Sequence, residues 1–374
     1  MFQRLNQDCT AISVQEEERE FIQEMLDGVS RSFAAIIPLL EEPFDRSVGL
    51  AYLLCRVCDN IEDCTNPFEW KQKRFEEFRW LLRHPTQSHE ILQKWHGFIW
   101  EGLKPAELAL QTTHGERLWS LFAALPPASQ DIIRKWSEEM SLGMEEMQAP
   151  NNALVQEVDD IQALIDLTAL NRYCYYVAGT VGHMCTELAA EHYGFDAQQV
   201  STLKLRCETF GNALQKTNIF KDFEEDLTRG VSFFPKGWLT SAKRSPLALK
   251  GADNLWIWRV LSHILDDLSG AVHYITHLPY EAQGYKQFCL CAILPAYETL
   301  VMAAGRHPML FTPEHACKIP RTKMFECLQM AEAFSKDNEA LLSKKKNYEE
   351  QIFRALFSAG KNGALQVPQT LNLS

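Results

Sequence analysis

The sequence predicts an all-α protein built as a single large helical domain. Apolar residues recur at helical spacing almost everywhere, and the alternation of a half-buried strand is hard to find. No shift in composition marks a domain boundary, and no internal repeat is present beyond one short acidic pattern that occurs twice. With 46% hydrophobic against 23% charged residues, a chain of 374 residues can bury a substantial core.

Taken in order, residues 16–28 have the pattern of a first amphipathic helix. SRSF follows at 30–33, with Ser30 placed to cap the next turn and Arg31 as a loop or first-turn cation. Pro38 and Pro43 interrupt the pattern. Asp45 is placed to cap a helix with an unusually apolar run, Val48 to Val57, that ends in CRVCDNIED. On it Tyr52, Arg56 and Asp59 follow at i+4 and i+3 steps, so Arg56 shares the acidic side. Segments 68–82, 87–101 and 114–124 read as outlying helices punctuated by Pro85, Pro105 and Pro126-Pro127. Residues 131–147 form another, whose Met140, Met144 and Met147 suit a core. Gly143 there leaves room for a neighbouring helix or a substrate chain.

A long helical stretch is expected over 159–192, interrupted near Gly179 and Gly182. Its Tyr173 and Tyr176 read, on pattern alone, as satisfied core phenols. A second acidic helix is expected over 203–227. The stretch 228–254, with Gly, Pro, Ser and basic residues and little period, reads as a mobile loop. Helix resumes over 255–278 and 286–304, an irregular basic stretch occupies 305–323, and a last amphipathic helix runs over 324–357. The domain thus spans 1–357, and the tail 358–374 is expected to be disordered.

The repeated pattern is Asp-x-x-Glu-Asp, at Asp59, Glu62 and Asp63 and again at Asp222, Glu225 and Asp226. On a helix these positions are i, i+3 and i+4, so three carboxylates share one side; Asn218 and Gln215 extend the second set backward. Carboxylates this close raise each other's pKa unless a cation relieves them. One such triplet alone is ordinary on a solvated helix face. Two that close apolar helices suggest carboxylate walls facing each other across a central cavity. A diphosphate could sit between them on magnesium, which takes one or two carboxylates together with substrate phosphates.

Bulk properties exclude several classes. A net charge of −12 argues against sequence-independent nucleic-acid binding. The first twenty residues contain no apolar signal region, and no stretch comes near the roughly 18 uncharged apolar residues of a membrane span. Eleven cysteines, scattered through apolar segments, read as buried reduced thiols rather than zinc or redox sites. Neither G-x-G-x-x-G nor a P-loop occurs, and the absence of Glu-x-x-His excludes a di-iron carboxylate bundle.

Four segments carry a resemblance: SRSFAAIIPLL at 30–40, LLCRVCDNIED at 53–63, NRYCYYVAGTVG at 171–182 and LQKTNIFKDFEEDL at 214–227. In content and order they resemble the squalene and phytoene synthase family of head-to-head prenyltransferases, and most closely its squalene-forming branch. The resemblance implies the isoprenoid synthase fold and a magnesium-dependent condensation of two farnesyl diphosphates to presqualene diphosphate. In the reducing branch, rearrangement with hydride from NADPH then gives squalene. It implies Asp59, Glu62, Asp63, Asp222, Glu225 and Asp226 as metal and diphosphate positions, with Asp59, Asp63, Asp222 and Asp226 counted as catalytic, and Tyr173 as the catalytic tyrosine. Arg31 and Arg56 match diphosphate-contacting arginines, and Gln215 and Asn218 polar positions of the site.

Elementary chemistry is consistent with such a role. A metal-held diphosphate leaves an allylic carbon without a strong nucleophile, and a dry apolar lining protects the cation. Lys221 and Arg229 could add cationic contacts to the same oxygens. Lys221 stands where the family's squalene synthases usually have arginine, and Arg229 falls earlier than their arginine. Lys318 and Arg321, in CKIPRTK, are candidates for the 2′-phosphate of NADPH, with a solvated surface as the equal alternative. Rival readings are a dehydrosqualene or phytoene synthase that omits reduction and a non-catalytic scaffold relative. The expected location is cytoplasmic or peripheral to a membrane.

Overall fold

The structure is a computed structural model that describes residues 2–30, 32–158, 160–240, 254–306 and 317–360. Helices dominate it, as the apolar spacing predicts. In chain order they are α1 (Phe2–Val29), α2 (Phe33–Ile36), α3 (Phe44–Asp63), α4 (Phe68–Arg83), α5 (His89–Gly97), α6 (Pro105–Gln111), α7 (Gly115–Ala123), α8 (Pro127–Gln148) and α9 (Leu167–Cys174). There follow α10 (Thr180–Tyr193), α11 (Ala197–Lys204), α12 (Cys207–Thr228), α13 (Lys236–Thr240), α14 (Asn254–Thr276), α15 (Gln283–Arg306), α16 (Arg321–Ser335) and α17 (Asn338–Gly360).

The chain divides into two compact units. The first comprises Met1–Asn152, Tyr175–Gly211 and His277–Phe288. Within it α8 packs against α3, α4 and α10, around buried Leu53, Leu54, Val57, Ile61, Phe75, Phe78, Met140 and Met144. Pro126 and Pro127 start α8, where a missing N–H costs nothing. Gly143 on α8 is a contact point: a Cβ there would lie 1.9 Å from Cγ of Tyr176. The neighbour it admits is therefore a tyrosine of the π-helical turn Tyr175–Gly179. Ser30 acts as expected, its Oγ accepting from Phe33 N at 3.1 Å. Asp45, by contrast, lies inside the first turn of α3, behind Pro43 at the cap position.

The second unit comprises Ala153–Cys174, Asn212–Thr276 and Cys289–Ser374. It holds a three-stranded sheet that the helical spacing did not predict. Strands β1 (Val155–Val158) and β2 (Ile161–Leu164) form an antiparallel hairpin, and β3 (Val231–Ser232) pairs parallel with β2. Val155, Val158, Ile161 and Leu164 stand three apart, which mimics a helix face. Asp160 adopts a positive φ of 64° at the turn, a conformation that Asp tolerates and a helix does not. The rest of the core centres on Phe220, Phe223, Phe234 and Trp256, with Phe223 and Trp256 ring centroids 4.9 Å apart.

Other boundaries shift. The first helix begins at Phe2, and the second acidic helix is preceded by a separate short one, α11. The last predicted helix is two, α16 and α17. Within 228–254, β3 and α13 are ordered, whereas 241–253 lie outside the described residues, as do 307–316 of the basic stretch and 361–374 of the tail. Helix α15 is long and apolar enough to cross a membrane by length and composition, which corrects the expectation that no stretch comes near. Of that window, 67% is buried inside the protein, as in a core helix. The cysteines from Cys55 to Cys327 are free thiols, all buried except half-buried Cys185.

Candidate active site

The first acidic set closes α3. Its helix buries Cys55, Cys58 and Ile61 on one side, which leaves Asp59 and Glu62 half-buried and Asp63 exposed. Burial, reinforced by the neighbouring Asp63 and Glu107 charges, pushes Asp59 up to about 7 against the pull of Arg56. Burial and the charges of Asp63 and Asp59 also raise Glu62 well above the ordinary carboxylate range. A cation brought close would oppose both shifts, because it stabilises the ionised carboxylates.

Cationic and amide groups surround this helix end. Arg56 Nη1 stands 3.6 Å from Asp59 Oδ2, and Arg56 Nη2 donates to Glu107 Oε1 at 2.7 Å. Lys71 Nζ donates to the Glu62 carbonyl at 2.6 Å and to Gln148 Oε1 at 2.8 Å. Gln148 Nε2 donates to the same carbonyl at 2.9 Å. Glu107, Lys71 and Gln148 were not among the predicted site residues. Pro105-x-Glu107 is a visible helix-start signal, but nothing local says which side chain Glu107 meets.

The second acidic set lies on α12, where Ala213, Lys216, Phe220, Phe223 and Leu227 make the buried stripe. Asp226 falls on that stripe and is 4% exposed, Asp222 is half-buried and Glu225 is exposed. Burial raises the Asp226 carboxyl, with Asp222 and Glu225 adding to the rise and Arg229 opposing it. Arg229, predicted to meet a diphosphate, forms a short ion pair with Asp226 Oδ1. Lys221 Nζ donates to Asn218 Oδ1 at 3.2 Å, so these two predicted polar residues meet on one helix turn. Gln215 is half-buried one turn earlier.

Tyr173 is buried at the end of α9 and stacks on Phe233 with centroids 4.5 Å apart. Lys318 and Arg321 are both exposed, Arg321 as the first residue of α16. Arg31 lies outside the described residues. Among the described residues no three His, Cys, Asp or Glu side chains converge as a self-sufficient metal site. The donor sets fit a hard cation that takes one or two carboxylates and completes its shell with phosphate oxygens and water.

A family model described as squalene/phytoene synthase matches residues 26–323. The chain is 31% identical over 293 residues to squalene synthase ERG9 of Saccharomyces cerevisiae, covering 77% of this chain and 62% of the yeast protein. It is 28% identical over 287 residues to the squalene synthase of Homo sapiens, covering 74% of this chain and 61% of the human one. The match therefore spans less than two thirds of the length of either relative. Among solved structures, the complex of TcSQS with the ligand E5700 aligns with a TM-score of 0.70 at 22% identity, over 91% of this chain and 99% of that one. A dehydrosqualene synthase aligns with a TM-score of 0.58 at 19% identity, over 86% and 97%. At these identities the structures show a shared fold. The family match runs from the last residues of α1 through the first turn of α16, so the chain belongs to the squalene/phytoene synthase family.

Proposed function

We propose that this protein is a squalene synthase, which condenses two farnesyl diphosphates head to head to presqualene diphosphate and reduces that product with NADPH to squalene. The observation that carries the reading is the pair of Asp-x-x-Glu-Asp sets, in which burial and neighbouring carboxylates push Asp59 and Glu62 upward in the first and Asp226 in the second, in a chain of this family. Relatives named squalene synthase in yeast and human support squalene as the product.

In this reading Asp59, Glu62 and Asp63, with Asp222, Glu225 and Asp226, hold magnesium on the substrate's diphosphate. Bound there, the metal would spread the leaving group's charge and favour ionisation of the allylic carbon to oxygen bond. Arg31, Arg56 and Lys221 add cationic contacts to diphosphate oxygens, and Gln215 and Asn218 orient them. Arg229, paired with Asp226, would add a further cation beside the second acidic set. Tyr173, buried against Phe233, supplies a phenol at the dry reacting end, as the family resemblance implies. Lys318 and Arg321 are exposed and suit the 2′-phosphate of NADPH.

Purified protein given farnesyl diphosphate and magnesium, with and without NADPH, tests the reading. Squalene only in the presence of NADPH is the expected result. A product indifferent to NADPH points instead to the dehydrosqualene-type reaction. Asp59→Asn and Asp222→Asn should each abolish turnover while leaving helicity by circular dichroism intact; retained turnover contradicts the metal assignment.

A further inference from the structure

Glu107 lies outside both acidic patterns, yet its carboxylate is tied to the first one. It is 8% exposed, and both of its oxygens are used. Oε1 accepts from Arg56 Nη2 at 2.7 Å, and Oε2 accepts from the backbone N–H of Lys104 at 2.9 Å. The backbone is fixed as well, because fully buried Asn60 donates from Nδ2 to the Glu107 carbonyl at 3.2 Å. Glu107 is thus held to α3 through main chain and side chain together. Burial works to raise its pKa, but the Lys104 amide and Arg56 outweigh it and hold the carboxyl below its ordinary value.

The effect is on Arg56. With one terminal nitrogen bound to Glu107, the other stops 3.6 Å from Asp59 Oδ2, beyond a normal hydrogen bond. Asp59 therefore has a cation beside it but keeps its oxygen lone pairs. Without Glu107, a guanidinium this close would close on Asp59 as a charge-assisted pair and occupy the carboxylate that a metal-bound diphosphate needs. We propose that Glu107 is a positioning residue that restrains Arg56 from pairing with Asp59 and aims it at an incoming diphosphate. This rests on the function proposed above.

Glu107→Gln separates the two tasks of this side chain. The amide oxygen still accepts the Lys104 N–H, so the first turn of α6 keeps its cap, while the anionic hold on Arg56 is lost. In calorimetry with inorganic diphosphate and magnesium, the variant should bind about tenfold more weakly, the loss of roughly one charge-assisted contact. It should also need more magnesium for half-maximal binding and show a raised KM for farnesyl diphosphate with a smaller change in kcat. In an Arg56→Ala background, Glu107→Gln should add no further weakening, because Glu107 acts through Arg56. Unchanged diphosphate affinity in Glu107→Gln, or an equal further loss in the Arg56→Ala background, overturns the inference. A wild type that forms no product from farnesyl diphosphate sinks the functional reading and this role with it, whereas an active wild type with an indifferent Glu107→Gln sinks this role alone.

Discussion

Lys71 Nζ donates to the backbone carbonyl of Glu62 at 2.6 Å, closing the last turn of the helix that carries the first acidic set. The final carbonyls of a helix have no partner inside it, and a cation there also meets the negative end of the helix dipole. Gln148 shares the same oxygen. Lys71→Met should lower stability by about 2 kcal/mol, the range for a hydrogen bond to a charged group. Urea denaturation of the metal-free protein measures it, and an unchanged midpoint refutes the capping role.

Lys216 and Asp267 form a buried ion pair at 2.6 Å, with side chains 5% and 16% exposed. Removing one partner strands the other charge in a poorly solvated site, so Lys216→Met should cost about 3 to 5 kcal/mol. The double variant Lys216→Met/Asp267→Leu should recover most of that loss, since it leaves no charge uncompensated. Equilibrium unfolding of the three proteins distinguishes a pairing effect from simple packing damage, which the second substitution would only deepen.

The closeness of Gly143 to Tyr176 predicts intolerance to even a small side chain. A β-branched residue at 143 would overlap the Tyr176 ring and displace the π-helical turn, so Gly143→Val should destabilise by about 3 kcal/mol. Thermal unfolding followed by circular dichroism reads this directly. Gly143→Val together with Tyr176→Ala should fold better than Gly143→Val alone.

His263 stacks on Trp238 with centroids 4.9 Å apart. Burial, helped by the Lys216 charge, holds its imidazole below the ordinary value of 6.5. Near and below that value the unfolded chain binds a proton that the folded one resists, so stability falls as the pH drops through the unfolded-state pKa. His263→Gln should shrink the difference between urea midpoints at about pH 7.5 and about pH 5.5. An undiminished difference assigns the acid sensitivity to other groups.

What the chain determined by itself was local. Helical spacing is written in each stretch of ten or twenty residues, so the all-α class, the acidic helix ends and the triplet geometry of Asp59 to Asp63 and Asp222 to Asp226 could be read directly. The same locality misled over 159–164, the start of the helix expected over 159–192, where the apolar spacing suits a helix but Asp160 turns the chain into a hairpin and the helix starts only at Leu167. Packing alone decided which acids are buried: Asp226 lies within the core stripe of its helix while Glu225, one residue before, faces solvent. It also brought Glu107 to Arg56 and Lys71 to Glu62. Such partners belong to other helices, and their meeting depends on how buried faces dock, which no spacing within a single segment encodes.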